Sequence, residues 1–103
     1  MNEKGMRRLL DELVVTGSID LSDQVAMILA DVMGGLRDND RRAVILRFGL
    51  EDGKRHTYDT VAKQWKPVPI KRQRVEQLVN RALRQLRYHT RQGRLKRFVQ
   101  RGG

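Results

Sequence analysis

The chain has 103 residues, 22 lysines and arginines against 12 acidic side chains, no cysteine and a formal net charge of +10. That length suits one domain with one modest core. Without cysteine, disulfide staples and thiolate metal sites are excluded and apolar packing must hold the fold. No segment approaches the roughly 20 apolar residues that cross a bilayer, and charges among residues 1–6 argue against a signal peptide, so a soluble, cytoplasmic protein with no membrane contact is expected.

Residues 3–14 place Met6, Leu9, Leu10, Leu13 and Val14 at helical spacing, with Gly17 as a stop signal. A second helix is expected from an N-cap at Ser22 through Val25, Ile28, Leu29, Val32 and Met33 to Gly34-Gly35. The third is expected to start with Asp38 or Asn39 as its cap and to turn Ala43, Val44, Leu46 and Phe48 inward before Gly49 ends it. Residues 51–56 read as a polar loop, after which Thr57 can cap a two-turn helix facing Tyr58, Val61, Ala62 and Trp65 inward. Trp65 reads as a core anchor rather than a platform for stacking bases.

Lys66-Pro67-Val68-Pro69 must interrupt that helix, because proline removes a backbone donor and pushes the preceding residue out of helical geometry. A long helix follows, with Val75, Leu78, Val79, Ala82, Leu83 and Leu86 as one stripe. Two helices joined by a short turn, the second basic, suggest a helix-turn-helix. Leu95, Phe98 and Val99 predict a last short helix and a frayed end, and no strand pattern or internal repeat is evident. The expected fold class is all-α, a compact helical bundle.

Charge is divided unevenly. Residues 1–35 hold Lys4, Arg7 and Arg8 against Glu3, Asp11, Glu12, Asp20, Asp23 and Asp31, whereas residues 36–103 carry the other 19 basic side chains and only six acidic ones. The chain therefore divides into acidic amino-terminal helices, residues 1–35, a candidate interaction arm for self-association or a partner protein, and a basic domain, residues 36–103. Such a basic segment is the electrostatic footprint of a polyanion binder.

If Val75 to Leu86 face inward, a 100° step per residue places Gln73, Gln77, Asn80 and Arg84 near the centre of the exposed face, with Arg74, Glu76 and Arg81 beside them. These side chains can read bases: Gln and Asn pair with adenine, Arg with guanine, and Glu accepts from cytosine. Lys71, Arg72 and Arg47 suit phosphates, which set register. The competing account is an ordinary solvated helix face. His56 and His89 have no neighbouring ligands at metal spacing, and no nucleophile elbow, phosphate loop or paired-acid constellation occurs. Neither enzyme activity nor a metal or cofactor is expected.

From Leu36 to Val99 the order and spacing of several strings resemble the fourth domain of primary-type sigma factors, the RNA polymerase subunits that recognise the upstream promoter element. The strings are Asn39-Asp40-Arg41-Arg42-Ala43-Val44-Ile45-Leu46-Arg47-Phe48-Gly49-Leu50, the loop start Glu51-Asp52-Gly53, His56-Thr57, Ala82-Leu83-Arg84-Gln85-Leu86-Arg87 and Arg94-Leu95-Lys96-Arg97-Phe98. Arg72, Arg74 and Gln77 match the family's reading helix. The turn at residues 66–69 is longer than the family's, Gln73 stands where a glutamate is usual, and Glu76 stands where an arginine usually reads the promoter. Residues 1–35 lack the aromatic and basic strand-opening segment of complete sigma factors, so this chain alone is not expected to melt promoters.

The resemblance implies a stand-alone regulator with two partners, double-stranded DNA and RNA polymerase, the latter through the flexible flap of its β subunit. A groove around the third helix and the tail would supply Val44, Phe48, Leu95 and Phe98 as apolar contacts, with core packing as the competing account of each. Redirecting or activating transcription suits such a protein, and a virus or mobile element would have use for one. An adaptor or antitermination-type factor that displaces the sigma domain without reading DNA is a second function, and a structural or packaging nucleic-acid protein a third.

Overall fold

Five helices follow one another in the computed structural model, which describes residues 1–101. The last two residues of the expected domain 36–103 lie outside the described residues. The helices are α1 (Glu3–Leu13), α2 (Asp23–Gly34), α3 (Asp38–Phe48), α4 (Tyr58–Gln64) and α5 (Arg72–Arg91). The fold is all-α apart from two short strands, β1 (Ser18–Ile19) and β2 (Val99–Gln100), which pair antiparallel with Ser18 opposite Gln100 and Ile19 opposite Val99. In place of the expected last helix, a single 3₁₀ turn at Lys96–Phe98 leads into β2. A two-residue strand is too short for alternation to reveal it in sequence.

Local chemistry explains most helix starts. Asn2 accepts hydrogen bonds from the Lys4 and Gly5 amides to begin α1, Ser22 accepts from Val25 to begin α2, and Thr57 accepts from Thr60 to begin α4. The third helix departs from expectation. Arg37 flanks it without any side-chain cap, Asp38 and Asn39 lie inside its first turn, and Leu46 is only half-buried. Asp38 pairs instead with Arg41, one turn on. The α3 end is as expected: Gly49 takes a left-handed conformation, φ 71°, that a side chain would strain.

One core runs through the whole molecule. Leu9, Leu10 and Leu13 of α1 and Val25 and Leu29 of α2 join Ala43 and Val44 of α3, Val61 of α4 and the full predicted stripe of α5. α5 lies centrally, packed on α1, α3 and α4. The apolar surface that residues 1–35 would need as an interaction arm is thus spent inside the fold, with Met27, 73% exposed, as the main exception on the helices.

α1 is also bolted to the end of α3. The Asn2 amide donates to the Leu50 carbonyl at 2.6 Å, and Arg8 Nη1 donates to the carbonyls of Phe48, at 3.1 Å, and Gly53, at 2.9 Å. The two segments meet at Gly5, where a Cβ would stand 2.3 Å from the Gly49 carbonyl oxygen. Gly5→Ala would ordinarily favour a helix by about 1 kcal/mol. Here backbone meets backbone, so we expect the opposite sign, a loss of about 1–3 kcal/mol as in other overpacked sites, measured as a lower midpoint in urea or thermal unfolding.

Candidate nucleic-acid interface

The exposed side of α5 is where sequence spacing placed it. Gln73, Arg74, Gln77, Asn80 and Arg84 are exposed, and Val75, Leu78, Val79, Ala82, Leu83 and Leu86 are buried beneath them. Glu76 is half-buried, with its carboxylate 3.8 Å from Arg72 Nε, and Arg74 Nη1 lies 3.5 Å from Gln77 Oε1. Lys71 and Arg72 stand exposed at the head of the helix, whose first turn has no acidic residue and no side-chain cap. The unpaired amides of that turn, the positive end of the helix dipole and the two cations all favour a bound anion.

Two predicted contacts are employed within the fold. Arg81 donates from Nε and Nη2 to both carboxylate oxygens of Asp40, at 2.8 and 2.7 Å, and this forked pair joins the middle of α5 to the first turn of α3. Asp40 has no solvent exposure, and the Arg81 side chain keeps 36%. The hydrogen bonds to Asp40 raise the Arg81 pKa above its ordinary value. Arg81, expected beside the base-reading residues, thus spends its Nε and Nη2 donors on Asp40. Arg47, expected on a phosphate, is half-buried with its guanidinium 4.1 Å from the Tyr58 ring centroid, and it donates to the His56 carbonyl at 2.8 Å. It braces the loop between α3 and α4.

That loop has a second brace. His56 Nε2 lies 2.9 Å from Asp52 Oδ2, and the Lys54 amide donates to Asp52 Oδ1. Hydrogen bonding, first from His56 and then from Lys54, holds the Asp52 carboxyl below its ordinary pKa.

The signal for Asp40 was present in the sequence. It precedes Ala43 and Val44 by three and four residues, so it shares their buried face, and a charge there requires a partner. A third anchor was not legible. Arg42 stacks 4.4 Å from the Trp65 ring centroid and donates to the Lys66 carbonyl at 2.7 Å, tying α3 to the start of the turn before α5. Trp65 itself is buried, as expected of a core anchor.

The predicted apolar contacts need correction. Val44, Phe48 and Leu95 are buried in the core and offer a partner no surface, because the α3 face that carries Val44 and Phe48 turns inward and the turn after α5 folds Leu95 into the same core. Phe98 is half-buried under the Arg97 guanidinium, 4.8 Å from its ring centroid. The open apolar surface lies nearby, in a groove between α2 and the tail. Met27 and Ile28 line one side, and Arg94, Lys96 and Arg97 the other, with Arg94 paired to Asp31 across it.

No family model and no solved structure matches the chain. Among curated proteins it is 30% identical over 92 residues to "RNA polymerase sigma factor SigA" of Lactococcus lactis subsp. cremoris, a match covering 87% of this chain and 24% of the relative. The protein of the same name from Lactococcus lactis subsp. lactis (strain IL1403) matches at 30% over 92 residues, with 87% and 23% covered. The chain spans about a quarter of the length of these relatives, and over that stretch it is similar to proteins named sigma factors. No helix among the described residues is long and apolar enough to cross a membrane.

Because Asp40 is sealed from water, Arg81→Ala should lower the melting temperature more than Arg7→Ala, which removes the exposed pair with Glu3. Equal shifts in the two variants would show that the α3–α5 pair is no more than a surface contact.

Proposed function

We propose that the chain is a DNA-reading and polymerase-binding module equivalent to sigma domain 4, which directs RNA polymerase to, or activates it at, particular promoters. The observation that carries this function is the exposed face of α5. Gln73, Gln77, Asn80 and Arg84 stand on a helix that the Asp40–Arg81 pair clamps in place, beside an uncapped positive helix end. In this account α4, the turn and α5 form a helix-turn-helix, α5 enters the major groove, and Lys71, Arg72 and Arg74 meet the phosphates. Similarity to proteins named sigma factors supports the same account.

Binding would be strongly salt-dependent, with log affinity falling by roughly 0.9 per phosphate neutralised for each unit of log salt. Against duplexes selected from a random pool, Gln77→Ala should relax the preference at one base pair by about 1–3 kcal/mol and leave the salt slope unchanged. Lys71→Ala should instead weaken all sequences alike and reduce the slope by about one. A footprint that shows no preferred sequence, with or without core polymerase, would remove the DNA-reading function.

For the polymerase, the groove between α2 and the tail is the better candidate surface, since it exposes Met27 on one side and Lys96 and Arg97 on the other. We expect Met27→Asp to lower affinity for a β-flap fragment about tenfold, in line with the loss of one buried methionine, with no change in melting temperature. A second function rests on Glu76, whose carboxylate beside Arg72 reduces the positive charge of the reading face. An adaptor that holds the flap and displaces the resident sigma domain would bind polymerase and leave no sequence-specific footprint.

A further inference from the structure

The turn between α4 and α5 holds an exposed valine where a loop would ordinarily carry polar side chains. Val68 is 63% exposed, and Lys66, Pro67 and Pro69 around it are also exposed. The segment is nevertheless fixed on both sides of Val68. Before it, the Lys66 carbonyl accepts from Arg42, which is itself stacked on the buried Trp65. After it, half-buried Ile70 donates its amide to the Ala62 carbonyl at 3.1 Å. Pro67 and Pro69 set their own φ angles, and Pro69 also restricts Val68 to extended backbone. Val68 is therefore presented as an apolar knob on a preorganised apex, and binding through it would cost little ordering entropy.

The surroundings indicate what the knob meets. Lys66 and Lys71 flank the apex in sequence, and the positive first turn of α5 follows at once. Cations suit a polyanion, but an isopropyl group gains nothing from a phosphate. In a B-DNA major groove the apolar group on the base edges is the C5-methyl of thymine. We infer that Val68 is a specificity residue that packs on a thymine methyl beside the base pairs read by Gln73 and Gln77. The inference rests on the DNA-reading function proposed above and adds to it a residue and a base.

The test is a methyl deletion scored against a side-chain deletion. Duplexes enriched by the chain from a random-sequence pool, with core polymerase present, are remade with single thymines replaced by deoxyuridine. Binding is then measured for the unaltered chain, Val68→Ala and Gln77→Ala. One thymine should cost the unaltered chain about fourfold in affinity on losing its methyl, the value of burying one such group. It should cost Val68→Ala nothing and Gln77→Ala the same fourfold. Because Val68 is exposed, its variant should melt with the parent, which thermal unfolding checks.

Sequence enrichment with no methyl-sensitive position, or with equal sensitivity in the parent and Val68→Ala, overturns the inference while leaving the DNA-reading function standing. Loss of polymerase capture in Val68→Ala with DNA preference intact also overturns it, and would place the knob on a protein partner. Absence of any enriched sequence removes both the inference and the function it rests on.

Discussion

Asp40 is a carboxylate with no access to water, and both of its oxygens are occupied by one guanidinium from α5. A charge buried in that way is tolerable only if its partner stays in place, so the pair sets the rotation and height of α5 against α3. The rest follows from that setting. With Arg81 turned to Asp40, the neighbouring positions Gln77, Asn80 and Arg84 are left on the solvent side, and Leu78, Ala82 and Leu86 fall into the core. The DNA-reading function proposed for α5 would need such a hold, because side chains discriminate bases only if the backbone beneath them does not shift.

Two cation–aromatic stacks extend the same logic along α3. Arg42 on Trp65 fixes the entry to the turn, and Arg47 on Tyr58 fixes the loop that delivers α4. Each arginine also donates to a backbone carbonyl of the connection it braces, Lys66 and His56 respectively. Several of the basic residues of α3 thus act as internal fasteners. The exposed cations are spread over several places, among them Lys54, Arg55 and Lys63 as well as the head of α5 and the tail, so the +10 net charge overstates the charge available to a polyanion on any one face.

The amino-terminal third shows how an acidic, separate-looking segment becomes part of the same body. α1 lays Leu9, Leu10 and Leu13 on α3 and α5, and Gly5 permits the approach to Gly49. The β1–β2 pairing then ties the segment after α1 to the carboxyl-terminal tail. One face of α2 is left beside Arg94 and Arg97, so the groove exists only because residues far apart in sequence are brought together.

Helix positions and the inward stripe of α5 were legible because they depend on near neighbours: a cap reaches two or three residues, and the 3.6-residue period repeats within one helix. The outward face of α5 was legible for the same reason, being the complement of that stripe. Pairings across the fold were not legible. That Arg81 and Arg47 serve the fold, that Val44, Phe48 and Leu95 are core, and that the open groove lies on α2 were decided by tertiary packing. Composition and period cannot distinguish an arginine that meets solvent from one that meets a buried carboxylate or a ring contributed by a different helix.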